Sequence, residues 1–242
     1  MTQDILTVMW KEMKNAFRHQ SRSRFLLSML TPIFFAILLP LQTGLEWTNE
    51  IFPSIFLSMF FPISFVAVTI PDAFAGERER HTLETLLASR LPDRAIFLAK
   101  FIFGTLISWI MAMTYLLISL ITLNIAHWQG QILFFTPQVA FANISLSLFF
   151  TSLAAGTGIL VSLHAETVQQ AAQSIMTIIM VPPLILTFLL SFFSKQIGGA
   201  ILNINSALLL YIVLAILLAA DIVVLLLSFS RFKRSNLILM QK

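Results

Sequence analysis

The stretch LAKFIFGTLISWIMAMTYLLISLITL, residues 98–123, decides the class of fold to which this chain belongs. It carries a single charged side chain, Lys100, which lies close to its beginning. A helix needs about 20 consecutive, predominantly apolar residues to cross the hydrocarbon core of a bilayer. Residues 98–123 therefore predict a membrane-spanning helix, and the rest of the chain can be interpreted outward from it.

Apolar runs of similar length occur on both sides of this stretch. Together with it they predict six membrane-spanning helices and an all-α integral membrane fold. The other five runs are residues 25–43, 51–74, 138–163, 171–193 and 206–230. The short loops predict one transmembrane domain over residues 1–242, with an N-terminal helix (1–24), spans one and two (25–75), a polar loop (76–94), spans three to six (95–230) and a tail (231–242).

The composition supports a membrane protein. Hydrophobic residues make up 58% of the chain and charged residues 11%, whereas a soluble domain usually contains about a quarter charged residues. The net charge of +4 comes from short basic clusters between apolar runs, which favours anionic lipid headgroups over nucleic acid as a partner. The chain has no cysteine, which excludes a thiolate metal site, and its 4 histidines lack metal-ligand spacing.

The distribution of basic residues predicts the orientation in the membrane. All but Lys195 of the 15 lysines and arginines fall in the N-terminal segment, in the loop after the second span with the start of the third, or in the tail. By the positive-inside rule these segments face the cytoplasm. We therefore expect a multi-pass membrane protein with both termini cytoplasmic. Its expected location is the bacterial inner (plasma) membrane. Trp47 and Trp128, at the opposite ends of spans, are expected in an outer aromatic belt.

Before the first span, the chain has the pattern of an amphipathic helix. Apolar residues recur at every fourth position, and basic residues form another face. The pattern predicts a helix over residues 1–24 that lies in the headgroup layer, with an ordinary soluble amphipathic helix as the alternative. The apolar series is Ile5, Met9, Met13 and Phe17, and the basic series is Lys11, Lys14, Arg18 and Arg22.

The longest polar segment follows the second span and continues into the third as GERERHTLETLLASRLPDRAIFLAK, residues 76–100. Leu83, Leu86 and Leu87 share one face of a predicted helix. A short amphipathic helix joined tightly to spans two and three would act as a rigid lever, so a partner that bound it could move both spans. The alternative is a loop helix that rests on the membrane surface.

Two further features belong to this polar segment. Arg80 and Glu84 are spaced for an ion pair one helical turn apart. Pro92 stands where a new helix could begin, with Asp93 in its first turn, where a negative charge is favourable. The segment therefore predicts a helix, a turn at the proline and a second helix that becomes the third span.

This segment resembles the signature of the ABC-2 family, the membrane subunits of type-2 ABC transporters. The amphipathic N-terminal helix and Pro32 in the first span are similar to that family as well. Beyond the third span the resemblance rests on the number of spans and on topology, and His81 stands where glycine is common. The resembling positions are Glu79-Arg80, Thr82-Leu83-Glu84, Leu86-Leu87, Pro92 and Lys100.

The resemblance implies that the polar segment holds a coupling helix that docks on an ATPase subunit. The transporter would contain two ATPase copies, which bind ATP and Mg²⁺, and a second permease that is identical or related. The chain itself has no G-x-x-x-x-G-K-[ST] sequence, so no cofactor and no catalytic residue are expected in it. The residues expected at the interface with the ATPase are Glu77, Arg78, Glu79, Arg80, Thr82, Leu83, Glu84, Leu86 and Leu87.

Polar residues inside the spans indicate where a substrate could pass. Asp221 lies in the sixth span, where a carboxyl group is costly and a functional candidate, although a protonated acid or an interhelical strut would also explain it. Asn143, Ser147 and Thr151 follow one another at four-residue spacing in the fourth span. They predict either a polar strip along a translocation path or close helix packing, and packing is the simpler explanation.

Two neighbouring prolines predict a break in the fifth span. Pro182 and Pro183 both lack a backbone donor, and such breaks in membranes occur where the backbone is buried or lines a cavity. In the resembled family the region between the fifth and sixth spans often folds back as a gate. Residues 191–205 are long enough for a short version of it.

From these patterns we expect the permease subunit of an ATP-driven transporter, an exporter, coupled to a separate ATPase through residues 76–90. Two other classes stay open. A stand-alone secondary transporter or channel would need several ionisable or broken-helix sites in related halves, and Asp221 is the one clear candidate. A membrane anchor would assemble a partner complex without transport, so binding an ATPase would not separate it from a transporter.

Overall fold

The computed structural model describes residues 1–19, 22–80, 82, 90–128, 130–192 and 206–232, and all regular structure in these ranges is helical. The helices are α1 (Thr2–His19), α2 (Arg22–Thr43), α3 (Glu46–Asn49), α4 (Ile51–Pro71), α5 (Glu77–Glu79), α6 (Asp93–Ala126), α7 (Pro137–His164), α8 (Val168–Phe192) and α9 (Ser206–Arg231). A π-helical segment, Asp72–Gly76, joins α4 to α5 without a gap.

Several of these helices can cross a membrane. The first and fifth predicted spans coincide with α2 and α8, whose described apolar parts, Met29–Thr43 and Val168–Val181, are short. An all-helical membrane protein is thus confirmed, and the count of six spans stays a prediction. Within the described residues, the four helices long and apolar enough to cross are Pro53–Glu79, Asp93–Ala126, Pro137–His164 and Leu210–Arg231, which match the second, third, fourth and sixth predicted spans.

The central helix of the bundle is α4, which packs against α2, α6, α7 and α8. Its Ile70 is fully buried and lies over two glycines. A Cβ atom at Gly104 of α6 would overlap the Ile70 side chain, and one at Gly158 of α7 would come within 3.1 Å of it. Small residues let membrane helices approach closely, so these two positions set the spacing of α4, α6 and α7.

The last helix, α9, packs mainly against α7. A Cβ atom at Gly156 of α7 would lie 2.8 Å from a methyl group of Val224. The Ser228 hydroxyl donates to the Gly156 carbonyl oxygen at 2.9 Å. Just beyond α9, the Phe232 ring meets the Phe74 ring edge-on, with centroids 5.8 Å apart. Helix α9 is therefore held along a narrow stripe, and most of its surface is exposed.

One expectation about the far end of the bundle is wrong. Trp47, predicted for an outer aromatic belt, is fully buried in α3, and its indole N–H donates to the Ser119 hydroxyl at 3.0 Å. Gly44, with φ of +60°, allows the tight turn that precedes α3 and brings this ring inward. A buried tryptophan is stable there because its N–H finds a partner. Trp128 is 62% exposed, as a belt residue requires.

Candidate functional site at the charged end of the bundle

The end of the bundle where α1, α5 and the start of α6 meet is called the charged end below. Here α4 passes into the π-helical segment directly after Pro71, which cannot donate a backbone hydrogen bond. Single π-helical turns within helices frequently mark functional positions. The Lys100 amine of α6 donates to the carbonyl oxygen of Ala73 inside this segment. A cation from the third predicted span thus holds the irregular turn that ends the second.

Four charged side chains form a compact cluster beside this turn. The Lys100 nitrogen lies 3.0 Å from Oε1 of Glu12 and 2.8 Å from Oε2 of Glu77. Lys11 pairs with the other carboxylate oxygen of Glu77 and lies 3.7 Å from Glu12. The Phe74 ring centroid lies 5.0 Å from the Lys100 nitrogen, which adds a cation–π contact. The cluster joins α1, α5 and α6 at one point.

Burial determines the energetics of this cluster. Lys100, Glu12 and Glu77 are 1%, 4% and 1% exposed, so these charges are balanced mainly by one another and only weakly by water. The two lysines and two glutamates carry no net charge together. Removal of one partner of a buried ion pair leaves an uncompensated charge and costs about 3–5 kcal/mol. The cluster therefore holds α1 firmly against the bundle.

Arg78 and Glu79 connect the same segment to two further helices. The Arg78 guanidinium donates to the carbonyl oxygens of Leu163 at 2.9 Å and Ala165 at 3.0 Å, where α7 ends. The Glu79 carboxylate accepts a hydrogen bond of 2.8 Å from the backbone N–H of Val168, where α8 begins. The helix dipole favours a cation at a C-terminus and an anion at an N-terminus, so both contacts are electrostatically favourable.

The residues that follow turn back towards the bundle. The Arg80 guanidinium pairs with the Asp72 carboxylate at 2.9 Å, and the backbone N–H of Thr82 donates to the carbonyl oxygen of Glu77 at 2.9 Å. Glu84, the predicted partner of Arg80, lies outside the described residues. A partly exposed ion pair contributes about 0–1 kcal/mol. This turn is therefore held more weakly than the buried cluster.

The described residues of the predicted interface form two groups, one buried or half-buried and the other exposed. Glu77 is buried and ion-paired, and Arg78 is half-buried against the end of α7. Both were expected to face a partner subunit, but their contacts are within this chain: Glu77 is ion-paired, and Arg78 donates to carbonyl oxygens at the end of α7. Glu79, Arg80 and Thr82 are exposed. The remaining members of the set, Leu83, Glu84, Leu86 and Leu87, lie outside the described residues.

The candidate path residues of the fourth predicted span are buried on α7, and one of them, Asn143, bonds to α4. The Asn143 amide donates to the Ser54 hydroxyl at 2.8 Å and accepts from the Ser58 hydroxyl at 2.9 Å. The Thr151 hydroxyl donates to the carbonyl oxygen of Ser147 at 2.8 Å, one turn back in α7. Asn143, Ser147 and Thr151 are all buried. Close packing explains these contacts, and a path along them stays a prediction.

Asp221 lies in the contact between α9 and α7. It is 6% exposed. Its Oδ1 atom has no hydrogen-bond partner among the described residues. The interpretations of Asp221 as a protonated acid, an interhelical strut or a participant in transport all stay predictions.

The fifth predicted span is continuous as far as it is described. Helix α8 runs through Pro182 and Pro183 without a gap, so the helix is not interrupted at these prolines. Residues 193–205, which make up most of the predicted gate at 191–205, lie outside the described part of the chain. A gate in this region stays a prediction.

Sequence reasoning missed the partners of Lys100. A lysine within an apolar run needs an opposite charge, so the signal for a buried ion pair was present. Glu12 is the one acid between Lys11 and Lys14, and Glu77 lies across the loop. The spacing of these residues in the sequence does not predict that Glu12 and Glu77 pair with Lys100, because the pairing depends on how α1 docks against α6.

Comparison with known proteins covers most of the chain. Residues 3–194 match the family model described as ABC-2 type transporter. The matched region runs from α1 to the end of α8, and it contains all four members of the charged cluster. No curated protein matches the chain.

Proposed function

Because the chain belongs to the ABC-2 type transporter family, we propose that it is the permease subunit of an ATP-driven exporter whose ATPase is a separate chain. The complete transporter would contain two ATPase copies, each with ATP and Mg²⁺, and a second permease subunit. The charged end would face the cytoplasm, because it carries the basic segments between spans. The membrane would be the bacterial inner membrane.

One observation carries this proposal: three consecutive residues at the charged end join four helices. Glu77 binds α1 and α6 through Lys11 and Lys100. Arg78 binds the end of α7, and Glu79 binds the start of α8. A displacement of the segment that follows would therefore reach all four helices together. A coupling element needs contacts with several helices, because domain closure around a ligand moves packed helices as rigid units.

In this mechanism Glu79, the last residue of α5, and the segment after it supply the surface that docks on the ATPase. Charged and polar groups would form its rim and apolar side chains its centre, the usual anatomy of a protein interface. ATP binding would bring the two ATPases together, and the ion-paired cluster would transmit their motion to the spans. The rim would be Glu79, Arg80, Thr82 and Glu84, and the centre Leu83, Leu86 and Leu87.

Affinity purification of the tagged chain in mild detergent tests this proposal. The wild-type chain is expected to copurify with a protein that contains a G-x-x-x-x-G-K-[ST] sequence, and the sample should hydrolyse ATP. The double substitution Leu83→Asp and Leu86→Asp places two charges in the apolar centre of the interface. Since a desolvated, unpaired charge is costly, this variant should lose both the ATPase and the hydrolysis.

A matched control changes two apolar residues at the opposite end of the bundle. Ile132 and Phe134 are 62% and 68% exposed in the connection between α6 and α7. The double substitution Ile132→Asp and Phe134→Asp should keep the ATPase. If an inserted wild-type chain brings no ATPase, or if test and control variants lose it equally, the proposed coupling site is wrong.

A further inference from the structure

A groove opens between α7 and α9 at the charged end. It has a volume of about 400 Å³ and is lined by Leu160, Val161, His164, Leu227 and Arg231. His164 and Arg231 are exposed, and Leu227 is 49% exposed. None of the described residues that line it is acidic. The groove thus combines two basic side chains with an apolar floor.

We propose that this groove binds one anionic phospholipid. The phosphate would lie between Arg231 and His164, and an acyl chain would lie along Leu160 and Leu227. This site is independent of ATPase coupling, because none of its lining residues belongs to the charged cluster or to the segment 76–90.

The apolar floor of the groove is continuous with the lipid-facing surface of α9. Within Leu210–Arg231, an 18-residue window has a mean hydropathy of 3.0, and only 17% of that window is buried. Val223 and Leu226, which precede the groove, are 55% and 65% exposed. In a bilayer such a surface contacts acyl chains. A lipid can therefore enter the groove sideways from the membrane.

The charge of the groove favours an anion despite the local helix dipoles. Both α7 and α9 end here, and helix C-termini carry partial negative charge. Arg78 compensates this at α7, because it donates to the carbonyl oxygens of Leu163 and Ala165. The Arg231 guanidinium makes no ion pair with any described residue. It is therefore available for the paired hydrogen bonds that arginine forms with phosphate.

His164 is suited to the second contact with the headgroup. Its Nδ1 atom lies 3.0 Å from the Leu160 carbonyl oxygen, so Nε2 is the ring nitrogen that remains for a ligand. A protonated ring would donate from Nε2 to a phosphate oxygen. Basic pockets between membrane helices on the cytoplasmic side bind anionic headgroups in this way.

Native mass spectrometry of the full chain, purified with its bound subunits, tests the site during titration with phosphatidylglycerol. Phosphatidylcholine with the same acyl chains is the neutral comparison. The wild type should retain one phosphatidylglycerol and bind phosphatidylcholine more weakly. Arg231→Gln should weaken binding about fivefold, which is the contribution expected of one cation near an anionic lipid. Arg231→Lys should retain most of the affinity, and adding His164→Gln to Arg231→Gln should weaken it further.

Two variants separate the groove from general attraction to charge. Lys14→Gln removes an exposed cation of α1 outside the groove and should leave lipid binding unchanged. Leu227→Glu keeps both basic residues but charges the apolar floor, and it should reduce binding. Equal phosphatidylglycerol affinity of wild type and the Arg231→Gln, His164→Gln variant would overturn the proposal. Release of the lipid by millimolar inorganic phosphate would also overturn it, since the site would then recognise free phosphate.

Discussion

At the scale of single residues, the Lys100 nitrogen is the point on which the charged end converges. It donates to the Ala73 carbonyl oxygen and pairs with carboxylates of Glu12 and Glu77, so three separate parts of the chain meet there. Ion pairs of this kind are sensitive to the loss of one partner, because the remaining charges cannot reach water. Lys100 thus joins α1 to the bundle through Glu12, beside the separate ion pair between Lys11 and Glu77.

Replacement of Lys100 should therefore destabilise the protein strongly. We expect Lys100→Met to lower the free energy of unfolding by about 3–5 kcal/mol, because Glu12 and Glu77 are left buried with only Lys11 between them. Unfolding in mixed detergent micelles measures the change. Adding Glu77→Gln should restore part of the loss, since Lys11 and Glu12 then balance each other. Lys14→Met, at an exposed position of α1, is the control; an equal loss in both variants would contradict the buried cluster.

At the scale of helices, close contacts between neighbouring helices depend on glycines, and the sequence pattern does not show which residue packs against each glycine. The ends of the helices follow from apolar length and from signals such as Pro92, which caps α6 before Asp93 as predicted. These signals do not predict which helix faces pack against each other. The Val224 methyl group of α9 packs over Gly156, and the local sequence does not predict this contact.

A larger side chain at Gly156 should separate α9 from α7. A Cβ atom there would lie 2.8 Å from Val224 Cγ1, and overpacking of this kind costs about 1–3 kcal/mol. Gly156→Val is expected to lower the midpoint of thermal unfolding, and Val224→Ala in the same chain to recover most of it. Thr157→Val, on the neighbouring face of α7, should change little. Failure of Val224→Ala to compensate would show that the two helices do not meet at this position.

At the scale of the whole molecule, composition and charge distribution carry most of the prediction. Apolar length predicted an all-helical membrane protein, and the family match agrees. Contacts between residues far apart in the chain could not be predicted, because they depend on how the helices pack. Examples are the burial of Trp47 and the hydrogen bonds of Asn143 with Ser54 and Ser58. A coupling role of the charged segment stays a prediction, and the burial of Glu77 was not predicted because it depends on the docking of α1.

The orientation can be tested with single cysteines, because the chain has none of its own. A cysteine that replaces Gln131, exposed between α6 and α7, should react with a membrane-impermeant maleimide in intact cells. Cysteines that replace Thr2, Glu166 or Lys242 should react only after the membrane is opened. This pattern follows from basic segments on the cytoplasmic side. Labelling of Thr2→Cys and Lys242→Cys from opposite sides would exclude an even number of spans.

The most direct test of the central claim, ATP-driven motion of this permease, uses Ser147→Cys in the reconstituted complex with its ATPase. Ser147 is fully buried between packed helices, so a water-soluble maleimide should label it slowly without nucleotide. We predict a several-fold change in the labelling rate when ATP and vanadate hold the ATPase in its closed state, because the helices joined at the charged end then move together. An unchanged rate while the ATPase hydrolyses ATP would contradict the account and indicate a membrane anchor.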